Sequence, residues 1–548
     1  MSEPIKVFRA RKILTMARNR PVATHVALRE GRILAVGDAE DAAGWGAPID
    51  DRFADKVLMP GLVEAHCHAM EGAVWADTFL GFFPRHSPEG SLEGGIRSIE
   101  DAVQRLQRAE AALTDPDQPL LAWGFDPIYY GGARMTRHDL DRVSTTRPVL
   151  VMHASFHIMN VNTVVLDKGG LFQVTGVEGI LRDGQGDVTG ELQEMAAMQY
   201  ARQAVGAKFA LTETSIASLR RFGRSATNAG VTTCTDLYAP LDDAALDAYV
   251  AATAAEDFPV RIAPAMAAAA WAPETGIARM AVLKERANDK FRPGLVKVMT
   301  DGSIQGFTAR LKWPGYHNGA PNGIWNQPPA VLKAQMKAYN AAGIQMHIHV
   351  NGDQASEFAI DCLAEALTEA PFPDHRHVLQ HCQMADAAQF RRMAALGIAA
   401  NLFANHIYYW GDQHAALTMG PDRARRMDAC GTAKAEGVRF AMHSDAPITP
   451  LAPLFTAWCA VNRQTATGRE LGPEEKISVA DALHAITLGA AWQLRLDHVV
   501  GSIEVGKYAD FAVLEDDPTG IAPQALKDVR VWGTILGGMP HQSAIGAA

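Results

Sequence analysis

Gln345-Met346-His347-Ile348-His349-Val350-Asn351-Gly352-Asp353 is the stretch that decides the fold. Ile344–Val350 is a short apolar run that closes on an Asn-Gly-Asp turn, which reads as a buried strand. Helical patterns flank it, Val331–Ala342 before and Ala355–Leu367 after. Working outward, the same alternation continues. Strand patterns at His377–Gln380, Ile398–Asn401 and Arg439–Met442 follow, separated by helical patterns at Ala385–Leu396 and Ala424–Ala435. Upstream lie a strand at Leu295–Met299, a strand at Val231–Asp236 and a helix at Thr212–Ala229. Strand and helix in strict alternation imply a parallel sheet of βα units. The number of units predicts an α/β fold, a (β/α)8 TIM-like barrel over residues 59–495. The excess length falls before residue 210, which predicts an insertion at about 70–210.

The ends of the chain read differently. Ile5–Phe8, Ile13–Met16, His25–Arg29 and Ile33–Val36 are short strands punctuated by Glu30-Gly31 and Gly37-Asp38. Phe511–Leu514 and Val529–Leu536 repeat that texture near the other end. Residues 1–58 and 496–548 are therefore expected to form one small composite β-sandwich.

Composition removes several classes of function. The 548 residues include 51 basic and 61 acidic ones, a formal net charge of −10. A general nucleic-acid binder would show a basic surplus. With 48% hydrophobic and 20% charged residues the chain is globular rather than disordered. It contains no run of about eighteen apolar residues, so no membrane span is expected. The opening MSEPIKVFRARKILTM lacks a secretory pattern, and the six cysteines show no paired spacing. Both point to a reducing cytoplasm. The charge says nothing about a homodimer, which stays open.

The nineteen histidines carry more information. His66 and His68, in Glu64-Ala65-His66-Cys67-His68, fall two apart at a strand end and project to one face. Two imidazoles so placed suit a divalent metal; two surface histidines are the plain alternative. Lys297 stands inside the apolar run Val296–Met299. Burial without a partner would lower its pKa and leave a neutral amine able to add carbon dioxide; a buried Lys297–Asp301 ion pair is the alternative. His347 with His349, then His381, then His443 with Asp445, each fall where a strand meets a loop. Barrel active sites lie at that rim.

These motifs resemble the amidohydrolase superfamily, within it the amidohydrolase-3 group of YtcJ-like metal-dependent hydrolases. The resemblance rests on Met59–His68, Gly230–Asp236, Val296–Ser303 with Thr308-Ala309, His349–Asp353, His381, Ser444–Pro447 and Gly501–Asp510. It implies that His66 and His68 bind the more buried of two zinc ions and His349 and His381 the more exposed one. Carboxylated Lys297 bridges them, and Asp445 is ligand and proton shuttle. His347 matches no ligand position, and His443 is undecided. Val149–Asn162, with His153 and His157, resembles a pocket-lining insertion, which makes His157 a candidate substrate contact, with a helix-face histidine as the alternative. Glu194 matches a position of unassigned role.

Rings at Trp75–Phe83, Trp123–Tyr130, Trp313–Tyr316, Trp325 and Phe403–Trp410 suit an apolar small-molecule pocket or ordinary packing. Trp325 is taken as a substrate contact, and Arg134 and Arg310 as candidate partners of a substrate carboxylate. The expected reaction is hydrolysis of a carbon–nitrogen bond other than a peptide bond, in an N-substituted amide, formamide or carbamate. A metal-activated water attacks, and Asp445 serves as general base and then acid. A ring-nitrogen deaminase and a non-catalytic regulatory protein on the same fold remain as alternatives.

Overall fold

The computed structural model describes residues 4–177, 179–206, 211 and 213–546. The chain separates into two compact units, Met1–His68 with Gly223–Ala548, and Ala69–Phe222. The fold is mixed α/β.

In the first unit the strands of the two chain ends share one seven-stranded sheet. Its order is Met539–Gln542, Val531–Leu536, Phe511–Leu514, Ile49–Pro60, Lys6–Leu14, Val22–Arg29, Arg32–Gly37. A β-sandwich was the expectation; the structure shows a single hydrogen-bonded sheet instead. The reason is the long strand Ile49–Pro60. It pairs parallel with Lys6–Leu14 on one edge and antiparallel with Phe511–Leu514 on the other, so no gap opens between the two ends. Phe8, Val26, Phe53, Phe511 and Ile535 form its apolar core. The two runs expected at Ile5–Phe8 and Ile13–Met16 are one strand whose register slips between Arg9 and Ile13.

The remaining strands of this unit are all parallel to their neighbours. Leu62–Glu64, Val231–Cys234 and Arg261–Ile262 form one set. Leu237–Ala239, Ala265–Ala267, Leu295–Met299, Gln345–Val350, Val378–His381, Ala399–Leu402 and Phe440–Met442 form the other. Between Arg261–Ile262 and Ala265–Ala267 lies Pro264, which has no N–H to give to a ladder. Past the last strand, Asp445 N–H donates to the His66 carbonyl at 3.1 Å, and His68 N–H to the Ala446 carbonyl at 2.7 Å. The first and last strand ends are thus joined. Asp510 ties this region to the end sheet: it accepts from Arg261 Nε at 2.7 Å, and its carbonyl accepts from Gly61 N–H at 3.0 Å.

Helices Pro329–Ala341, Asp353–Glu369 and Ala387–Leu396 lie where the periodicity placed them. The helix expected over Thr212–Ala229 runs Ile216–Asn228, and Thr212 lies outside the described residues. The helix expected over Ala424–Ala435 is split into Pro421–Ala424 and Cys430–Ala435. Arg463, fully buried, takes the carbonyls of Arg425, Met427 and Asp428 that a continuous helix would have used itself. Asp428 has turned to a left-handed φ of 47°.

The second unit holds a six-stranded sheet, ordered Ile180–Arg182, Val188–Gln193, Ile158–Val161, Val149–His153, Leu120–Phe125, Thr78–Phe79. Helices Ile99–Ala112 and Glu194–Val205 belong to it, and apolar clusters around Trp123 and Phe125 fill it. No helix among the described residues is long and apolar enough to cross a membrane.

Candidate metal centre

The segment after the first parallel strand carries the first donors, His66 and His68. The strand Leu62–Glu64 ends just before them, and both imidazoles turn toward Asp445 while the Cys67 thiol donates to the Thr235 carbonyl at 3.0 Å. His66 Nε2 lies 3.1 Å from Asp445 Oδ1, and His68 Nε2 lies 3.2 Å from the same oxygen. Asp445 Oδ1 is nonetheless without a hydrogen-bond partner. These are close approaches of three ligand atoms rather than aligned hydrogen bonds. Donors held ~2.0–2.2 Å from a zinc ion sit roughly 3–3.5 Å apart, so the three residues fit a metal.

A second pair lies beside them. His349 Nδ1 and His381 Nε2 approach to 3.1 Å, and His381 Nδ1 stands 4.0 Å from Asp445 Oδ2 with no hydrogen bond of its own. His381 reaches this position against the strand rule. Gln380 and His381 are consecutive and should face opposite ways. A left-handed φ of 68° at His381, followed by 49° at Cys382, turns the imidazole inward. Asp445 also has a left-handed φ, 54°. Each such residue costs about 1–3 kcal/mol and concentrates at functional sites.

His443, undecided from the sequence, is fully buried with both ring nitrogens unpartnered. It stacks on His66 at 4.4 Å and on Phe403 at 4.7 Å. His66, His381 and His443 form a second group whose ligand atoms cluster closely enough for an ion, overlapping the group His66, His68 and Asp445.

Lys297 is buried one step below His349: in the ladder Lys297 faces His347, and Met299 faces His349. Burial pushes its amine down to about 7. The Lys297–Asp301 ion pair does not form. The Asp301 carboxylate instead accepts backbone N–H groups from Arg310 at 2.9 Å, Asn351 at 3.1 Å and Gly352 at 2.9 Å. It pins the loop after Lys297 to the end of the His349 strand. Gly352 is required there, since a Cβ would meet the Arg310 carbonyl at 1.7 Å.

Two carboxyl groups escaped sequence reasoning. Glu64, buried and pushed up to about 8, accepts from Ser444 Oγ at 2.8 Å and from Ser444 N–H at 3.2 Å. It fixes the segment that carries Asp445. Asp236 takes the Tyr249 hydroxyl and lies 3.9 Å from His68 Nδ1. Glu64 was detectable, because it shares the spacing of His66 and His68; Asp236 carried no such signal. Asp445 is subject to opposed influences: burial pushes its pKa up, but the neighbouring His66 and His68 imidazoles hold it well below the usual carboxylate range. Burial lowers His66 to about 4, so its ring is neutral at pH 7 and has a lone pair for a metal.

The substrate contacts expected from sequence are placed less simply. Arg310 is committed to protein: Nε donates to Gln354 at 3.1 Å, Nη1 donates to the Gly323 carbonyl at 2.7 Å, and the guanidinium lies over Trp325. Trp325 itself packs on Phe358 at 4.9 Å. Arg310 and Trp325 thus both have partners within the protein and are half-buried. Arg134 and His157 belong to the second unit. Arg134 pairs with Glu191. His157 occupies the turn between Val149–His153 and Ile158–Val161, not a helix face, and its Nδ1 lies 3.0 Å from Glu194. His153 meets Asn160 inside the same sheet. Trp75, Phe79 and Trp123 pack on one another there, and Trp313 is 93% exposed.

Comparison with known proteins agrees with this geometry. The chain is 26% identical to Protein LONG AFTER FAR-RED 3 of Arabidopsis thaliana, over 96% of this chain and 89% of that one. It is 26% identical to the N-substituted formamide deformylase of Arthrobacter pascens, over 96% of both. An uncharacterized metal-dependent hydrolase from Pyrococcus horikoshii OT3 superposes with a TM-score of 0.73 at 20% identity, covering 95% of this chain and 99% of that one. Residues 54–540 match the amidohydrolase family as a whole, so the chain belongs to the amidohydrolase family.

Proposed function

We propose that the protein hydrolyses a carbon–nitrogen bond other than a peptide bond in a small molecule, an N-substituted amide, formamide or carbamate. The parallel strands with their joined first and last ends are read as an eight-station barrel, with the site at its rim. The observation that carries the proposal is the convergence of His66, His68 and Asp445 beside His349 and His381, next to a buried amine. His66, His68, His349, His381 and Asp445 would hold two divalent ions, and His443 is a further nitrogen donor. Lys297, buried and poised near neutrality, makes no hydrogen bond or ion pair among the described residues. A carbamate formed on its Nζ would turn it into a carboxylate able to join the two ligand sets.

Divalent metal bound there supplies Lewis acidity, which makes water acidic enough to yield a nucleophile near neutral pH. The chain's own part is proton handling. Asp445, held low, is ionised and accepts the proton of the attacking water at a carboxylate oxygen. It then delivers that proton to the departing nitrogen, which is a poor leaving group until protonated. Glu64 and the His66 carbonyl hold the Asp445 segment in place for both steps. Similarity to a formamide deformylase supports the N-acyl class.

Metal analysis with a screen of N-formyl, N-acyl and carbamate compounds tests the reading. Two metals per chain with turnover of one class is the expected result. One metal with ring-amine release points to the deaminase, and absence of metal and turnover overturns the proposal.

A further inference from the structure

Below the metal centre runs a chain of buried polar side chains in which every hydrogen-bond direction is determined. It starts at the Gln493 carbonyl, which can only accept. Gln345 Nε2 has two hydrogens, and the carbonyls of Arg376 and Gln493 take them at 2.6 Å each. Gln345 therefore has none left for His347. His347 Nε2 lies 3.2 Å from the Gln493 carbonyl, so Nε2 carries the proton and Nδ1 is the acceptor. Gln380 Nε2 donates to that Nδ1 at 2.8 Å. The other end of the same amide, Gln380 Oε1, faces His66 Nδ1 at 2.7 Å and also accepts from Asn401 Nδ2 at 2.9 Å. Being an acceptor, Oε1 requires a hydrogen on His66 Nδ1. All five side chains, Gln345, His347, Gln380, Asn401 and His66, are buried, so water does not compete for these positions.

We infer that Gln380 and His347 form a one-way hydrogen-bond relay that fixes the His66 tautomer, leaving Nε2 as the donor atom turned toward Asp445. The two are positioning residues: they act on the metal centre only through His66. A metal-binding imidazole needs its second nitrogen protonated and held, and such outer partners typically change metal affinity 10–100-fold. The relay gives His347 a task that its HxH spacing with His349 concealed. It also explains why a glutamine precedes His381: an amide can accept from one ring while donating to the next, which a carboxylate cannot do. The inference rests on the metal-centre reading above, but it concerns protons that are present without metal.

Metal-free protein with 15N-labelled histidine, observed by long-range 1H–15N correlation, tests it. The expected spectrum shows His66 protonated at Nδ1 and His347 at Nε2; His66 protonated at Nε2 in the wild-type protein overturns the relay. Gln380→Met removes the acceptor. It is expected to mix the His66 tautomers and weaken zinc binding, in competition with a chelator, about 10- to 100-fold. Gln380→Glu keeps an acceptor toward His66 although it can no longer donate to His347, and is expected to return the His66 Nδ1–H tautomer and most of the affinity. Equal losses in the two variants would mean that packing alone matters, and overturn the proposal. Should Gln380→Met fail to fold, the wild-type and Gln380→Glu spectra decide it. If wild-type protein binds no zinc, the metal-centre reading fails while the tautomer spectrum still judges the relay.

Discussion

In the unit spanning residues 69–222, the buried Glu71 carboxylate accepts from Arg85 at 2.6 Å and from the Trp75 indole at 2.9 Å. At the strand ends of the other unit, Asp445 Oδ1, His381 Nδ1 and both ring nitrogens of His443 are equally buried, yet no hydrogen bond reaches them. Buried polar atoms left unpaired are costly. The first arrangement completes itself and is what a structural core requires. The second is of the kind that a metal ion, binding nitrogen and oxygen together, would complete.

Substitutions should therefore act on different observables in the two regions. Lys297→Ala should have the largest effect: at least one metal per chain is lost and turnover goes with it, while Lys297→Glu retains metal; elemental analysis beside activity reads both. Undiminished metal and activity in Lys297→Ala would remove the bridging role. Next, Asp445→Asn should keep metal content and lower kcat about 10²–10⁴-fold, the usual worth of acid–base catalysis; full activity would break the proton-shuttle assignment. Arg85→Leu strands a buried carboxylate and should destabilise by about 3–5 kcal/mol in urea unfolding, with metal stoichiometry unchanged. If metal is lost instead, the contrast between the regions dissolves.

The smallest effect concerns acid. Burial holds His153 at about 4, below its ordinary 6.5. A depressed pKa gives stability that is fully present above pH 6.5 and is lost as the pH falls through 4. His153→Gln should remove that part of the acid sensitivity, on the order of 3 kcal/mol. Unfolding midpoints measured between pH 7 and 4 for both proteins check it, and parallel curves would refute it.

Much of this was readable in advance because it follows from short-range periods. The alternation of helix and strand located the parallel strands, and the His-X-His spacing singled out His66 and His68. What escaped depends on partners distant in sequence. Nothing within Ala424–Ala435 announces that Arg463 will capture its carbonyls. The single end sheet depends on Ile49–Pro60 pairing with strands from both chain ends, which no local pattern encodes. The partners that Arg310 finds in Gln354 and the Gly323 carbonyl are likewise set by the fold of its loop. Gln380 is an ordinary residue type whose role appears only once His66 and His347 are beside it.

The left-handed turn at His381 and Cys382 also bears on how the site can change. A regular pleat lends a cavity every second side chain of a strand. By leaving the pleat at its last residue, Val378–His381 presents two neighbours in sequence, Gln380 and His381, to one small volume. Tuning and ligation are thereby packed into adjacent codons, so a short insertion or deletion there displaces both at once. The same turn disfavours β-branched residues at 381 and 382 irrespective of their chemistry. The variation open to this corner of the molecule is restricted by backbone shape before metal affinity is ever tested.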